Sequence, residues 1–177
     1  MLPLIASLLA MTPAPLLPPP GDAPCSARER EGLAAINWWQ GNWDVVDSAS
    51  GAVVAHSVVA PQPGDACKLR ESVTPVGDAG AYGAPLVTLV TYTAKAPNFR
   101  QMLVASDGQG SFLWGALQGD QLVLTGIIGD TRPRWTLTCR ADGTLRLTIE
   151  QSRDGGATWN AAPVRDLTYR RASPATP

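Results

Sequence analysis

Four glutamates, one histidine and three cysteines are the residues of this 177-residue chain that could support acid–base, metal or redox chemistry. General acid–base catalysis needs two partnered titratable groups. Glu29 and Glu31 share one helical stretch, so a hydrolase or isomerase would have to use Glu71 or Glu150, both in strand-like segments. A buried glutamate beside Arg70, Arg100 or Arg134 more often orients a ligand or stabilises a core than turns over a substrate. His56 is the single imidazole, and a lone strand histidine is usually a surface or packed residue. There is no Ser-His-Asp order, Gly-rich phosphate loop, Cys-His pairing or metal-ligand spacing. No catalytic residue, metal or cofactor is therefore assigned. Three cysteines permit one bridge and one free thiol, with three pairings open.

The elements that must position these residues are mostly strands. Ser26-Ala-Arg-Glu29 fits a capping box, and Leu33, Ile36 and Trp39 keep near-helical spacing. A short amphipathic helix is expected there, ending at Gly41. Beyond it, strand-like runs cover 42–47, 52–60, 67–73, 85–94, 99–106, 111–117, 121–128, 132–139, 144–151 and 164–171. Most are separated by Gly- and Asp-containing turns of hairpin type. Leu145, Leu147 and Ile149 alternate with Arg146, Thr148 and Glu150, whereas 121–128 is apolar on both faces and needs cover on both. No helical stretch of crossover length occurs, so a parallel sheet is excluded. The pattern predicts an all-β fold, an up-and-down antiparallel barrel of about ten strands with a short N-terminal helix.

Composition sets the class. Apolar residues make up 45% and charged residues 16%, which excludes a disordered chain. Fourteen basic against fifteen acidic residues give a net charge of -1, and the cations are scattered, so nucleic acid is not an expected partner. Residues 1–21 carry no charge, and seven of sixteen prolines precede Cys25. The apolar run from Leu2 to Met11 spans only about 15 Å as a helix, half a bilayer core, so it is no membrane span. It reads as the apolar part of a secretory leader followed by a proline-rich stem. The expected organisation is a leader at 1–24, one barrel domain at 25–172 and a disordered tail at 173–177, secreted or periplasmic.

Asn37-Trp-Trp-Gln-Gly-Asn-Trp-Asp-Val-Val46 holds the Gly-x-Trp signature that opens the first strand in lipocalins and other calycin barrels. Over residues 25–171 the chain resembles an uncharacterised family of small exported bacterial proteins with a lipocalin-like barrel. The matching residues are Cys25, Trp38–Val45 in sequence, Cys67 with Glu71, the Ser-x-Asp-Gly-Gly-x-Thr-Trp segment 152–159, and Tyr169-Arg-Arg171. The resemblance implies that Trp43 plugs the barrel base, with Gly41 before it. It also implies a cation over the indole from Arg170 or Arg171, of which Arg170 is taken as the structural residue. It brings no established activity. Both Cys25 and Cys67 match the family pattern and Cys139 does not, which points to a Cys25–Cys67 bridge stapling the helix to the barrel. Cys139, on one face with Trp135 and Leu137, then reads as a buried thiol. Haem-binding barrels of the nitrobindin kind resemble the chain in length and opening motif but carry their iron-binding His near the C-terminus, where this sequence has none.

The leading expectation is a non-catalytic barrel that binds a small hydrophobic or amphipathic molecule in its lumen, lined by some of Glu71, Tyr92, Trp114 and Trp135. The alternative, from another class, is a structural or protein-interaction module whose barrel is filled by side chains. A continuous cavity of a few hundred cubic ångströms supports the first; a packed interior supports the second.

Overall fold

The computed structural model describes residues 25–77, 83–96 and 98–173. The Ser26 hydroxyl accepts from the Glu29 N–H at 3.2 Å, and the Glu29 carboxylate accepts from the Ser26 N–H at 3.0 Å, so the capping box is complete. It starts α1 (Ala27–Ala34). The helix stops earlier than its spacing predicts. At Ile36 the backbone leaves the helical region, and a single 3₁₀ turn (Asn37–Trp39) follows. That break lets Ile36 and Trp39 both drop into the barrel mouth, where both are buried. Burial of two large side chains outweighs continued helical hydrogen bonding.

Ten strands follow: β1 (Gly41–Asp47), β2 (Val53–Gln62), β3 (Asp65–Pro75), β4 (Leu86–Thr93), β5 (Asn98–Ala105), β6 (Gly110–Gln118), β7 (Gln121–Gly126), β8 (Arg132–Cys139), β9 (Leu145–Ser152) and β10 (Arg165–Arg171). Each pairs antiparallel with the next, and β10 closes on β1. The result is the expected closed up-and-down barrel, which leaves no free sheet edge. Gly41 opens β1 rather than ending the helix.

Side chains of period two fill the interior. Leu69, Glu71 and Val73 of β3, Leu122 and Leu124 of β7, and Leu167 and Tyr169 of β10 are all buried. Register pairs such as Leu137 with Leu147 and Leu147 with Leu167 carry the core across neighbouring strands. α1 lies against β3 and β4. The second apolar face of the 121–128 run lacks the full cover its pattern calls for: Ile127 is 60% exposed on the outer wall.

Cys25 and Cys67 form the expected disulfide, Cα atoms 5.3 Å apart, tying the residue before the helix to β3 across a sequence separation of 42. Gly32 then sits on the Tyr92 ring so closely that an added Cβ would lie 2.2 Å from a ring carbon. Cys139 is a free thiol, half-buried and packed against the core. The leader at 1–24 and residues 174–177 of the tail lie outside the described residues.

Candidate functional site

The helix end of the barrel is built around Trp43. Its indole N–H donates to the Trp39 carbonyl at 2.8 Å. The Tyr169 ring meets it edge-on, with centroids 6.3 Å apart. The Arg171 guanidinium lies 3.9 Å above the ring centre and donates to the Gln40 carbonyl at 2.7 Å. Gly41 adopts φ +135°, and a Cβ there would stand 1.8 Å from an Arg171 nitrogen. The Gly-x-Trp spacing thus has a physical reading: glycine makes room for the guanidinium, and the tryptophan two residues on presents its ring beneath it.

The cation is Arg171, not Arg170. Tyr169 and Arg171 share the inward face of β10, so alternation turns Arg170 outward, opposite Asp44. Arg170 is exposed and borders a shallow recess with Arg140 and Arg146, where Arg146 is bonded to Asp166 at 2.6 Å.

Inside the barrel, Glu71 is only 4% exposed. Its carboxyl accepts from the Ser57 hydroxyl at 2.8 Å and the Tyr169 hydroxyl at 3.2 Å. None of the anticipated arginines reaches it. Arg134 makes a two-pronged pair with Glu150 on the outer wall, at 2.8 and 2.9 Å, while Arg70 and Arg100 are exposed. Without a cation, burial dominates and pushes the Glu71 carboxyl above the ordinary carboxylate range, although its hydroxyl partners oppose the shift. Glu71 is a buried carboxyl held by hydroxyl partners, with its proton affinity raised by burial.

Glu71 and Trp135 do come together: both border an interior void of about 20 Å³, with Trp39, Gln101 and Tyr169. One water-sized site needs roughly 10–15 Å³ by this measure. The void is of that order and is far below the several hundred cubic ångströms of a ligand pocket. The Trp39 indole N–H is buried with no acceptor among the described residues. Tyr92 lies elsewhere, in an open groove of about 420 Å³ between α1 and the barrel mouth, with Phe99, Leu117, Arg28 and Glu31. Trp114 is outside the barrel, 37% exposed, beside Phe112 with ring centroids 6.1 Å apart. The reason is again alternation: Leu113 is the buried residue of β6, so its neighbour must face out.

The sequence reading missed Ser57, Gln101, Tyr169 and Trp39. Ser57 and Tyr169 were within reach of it, since each alternates in phase with buried neighbours, Ala55 and Val59 for one and Leu167 for the other. Glu71 points inward from β3 and Glu150 outward from β9, a different part of the barrel, so they do not form a carboxyl pair. His56 is also external, hydrogen-bonded to Asp44 at 2.8 Å. The 152–159 segment is a self-contained turn: Asp154 accepts from the Thr158 hydroxyl at 2.5 Å and the Ser152 hydroxyl at 2.7 Å, which holds its carboxyl far below the usual range. Trp159 closes that turn under the Arg134 guanidinium, 4.1 Å away.

A pH dependence follows from Glu71. Its folded carboxyl holds a proton more tightly than the unfolded one, whose ordinary value is near 4.5. From there upward to the folded pKa, the native state binds more protons than the unfolded chain, so this group's contribution falls as pH rises. Glu71→Gln keeps the shape and removes the titration. Urea midpoints of the two proteins are expected to run parallel below the ordinary carboxylate pKa. Above it they should diverge in favour of the variant, by at most about 1.4 kcal/mol per pH unit. Parallel curves over the whole range would show that Glu71 ionises as readily folded as unfolded.

No protein-family model matches the chain, and no curated protein matches it.

Proposed function

We propose that this protein is a non-catalytic interaction module: an exported, disulfide-stapled barrel whose lumen is a packed core and whose working surface is its outside. One observation carries this reading. Tryptophans, leucines, Tyr169 and the buried Glu71 fill the interior down to about 20 Å³, which leaves the lumen no room for the small molecule that the fold class suggested. Export is supported by the Cys25–Cys67 bridge, since such bridges persist in oxidising compartments. Membership of the exported lipocalin-like family is supported by Gly41 and Trp43 opening β1 beneath an arginine from the last strand.

A second reading has its own observation. The groove of about 420 Å³ beside α1 has Tyr92, Phe99 and Leu117 on its barrel side and Arg28 and Glu31 on its helix. It suits a small amphipathic molecule with an apolar body and a charged head. Titration with an environment-sensitive dye, fatty acids, haem, flavins and aromatic acids separates the two. The module reading expects no saturable binding. Saturable binding abolished by Tyr92→Ala and untouched by Trp135→Ala would move the function to the groove. Binding abolished by Trp135→Ala would return it to an opened lumen.

A further inference from the structure

The outer wall is divided into two unlike halves. Across β8, β9, β10, β1 and β2 three charge pairs join neighbouring strands: Arg134 with Glu150, Arg146 with Asp166, and His56 with Asp44. On β3 to β7 the outward cations are Lys68, which pairs with Asp65 of its own strand, and Arg70 and Arg100, which make no ion pair among the described residues. Beside Arg100 lies an apolar surface. Of the ten large apolar side chains exposed among the described residues, Met102, Val104, Phe112, Trp114, Ile127 and Ile128 are on β5, β6 and the turn after β7. Met102 stands directly opposite Phe112, and Trp114 opposite Arg100. Aromatic residues, Met and Arg without Lys or Glu make up the composition of an interface core.

We infer that a second copy of this chain covers this wall, through a two-fold axis near Met102 and Phe112. The charges select that occupant. Arg100 lies at the helix end of the patch, and Asp107 lies at the opposite end, in the turn between β5 and β6. Asp107 is exposed and, like Arg100, makes no ion pair among the described residues. The midpoint between them along β5 falls at Met102–Val104, the apolar centre. A two-fold rotation about that point turns each copy end over end and sets Arg100 of one against Asp107 of the other. A two-fold contact requires a self-complementary surface, and this wall is one. An anionic membrane is the weaker match, because only a few cations border the patch and the net charge is -1.

This goes beyond the module reading and rests on it only in taking the outer wall as the working surface. Sedimentation velocity of the whole exported chain, from low micromolar to millimolar concentration, tests it. A species of twice the monomer mass is expected. Phe112→Arg, at an exposed position that leaves the core intact, should give monomer at every concentration. Arg100→Asp should weaken association by about tenfold or more, the size of one rim ion pair turned repulsive. The exchange Arg100→Asp with Asp107→Arg should restore it. A wild-type monomer throughout overturns the inference. So does a dimer indifferent to Phe112→Arg, or a charge exchange that fails to rescue. A monomer that sediments with phosphatidylglycerol vesicles, and loses that binding in Phe112→Arg, overturns it in favour of a lipid surface. In each of these cases a lumen that binds nothing leaves the module reading standing.

Discussion

Trp43→Ala is expected to destabilise the barrel by about 3–5 kcal/mol, the range for emptying a buried aromatic site. For a domain of this size each kcal/mol shifts the melting temperature by roughly 2–4 °C, so a drop of about 6–20 °C should appear in a thermal scan. The magnitude comes from what leaves with the ring. Trp43 is among the largest fully buried side chains, it holds the Trp39 carbonyl, and it is the platform on which Arg171 lies. Truncation opens a cavity and strips the guanidinium of its partner in one step. Arg171→Leu should have a smaller effect, about 0.5–2 kcal/mol, the range of a cation–π contact. Arg170→Leu should have almost none, because that side chain is on the outer face. An unshifted melting temperature in Trp43→Ala would remove Trp43 from the barrel base.

Breaking the Cys25–Cys67 bridge is the second large effect. Closing a loop of 42 residues in the unfolded chain is worth on the order of 4 kcal/mol in the chain-entropy model. Cys25→Ser/Cys67→Ser should lose about that much in urea unfolding. The bridge also has a local role: it holds the start of α1 on β3, with Gly32 seated on Tyr92. Proteolysis of the double variant should therefore cut first between Ser26 and Gln40, at a site protected in the bridged protein. Peptide mapping without reduction should recover a Cys25–Cys67 linked peptide. A Cys67–Cys139 link would refute the pairing.

The ten strands were readable because most hairpins carry their own turn chemistry and most strands have one dry face, so period-two alternation survives in the sequence. The capping box was equally local, since Ser26 and Glu29 satisfy each other within one turn. Of the site, Glu71, Trp43, Cys25 and Cys67 were within reach because each is tied to a motif or a strand phase. Trp114 was misplaced for want of that phase: its strand, Ser-Phe-Leu-Trp-Gly-Ala-Leu, is apolar on both faces, and only the inward Leu113 shows which face is the core. Arg170 and Arg171 differ by one residue, and strand register alone makes one a lid and the other a surface charge.

Local periodicity and turn residues thus determined the barrel and its helix without reference to the rest of the chain, while the Cys25–Cys67 pairing was pointed to by the family resemblance. How full that barrel is, which groups surround Glu71, and which wall stays apolar and unpaired were decided only in three dimensions. Each depends on residues far apart in sequence, such as Glu71 and Tyr169, separated by 98 positions. Closing a sheet into a barrel fixes its diameter by strand number and shear, while the summed volume of side chains from every strand decides whether space remains. That sum is a property of the assembled ring, and no single segment encodes it.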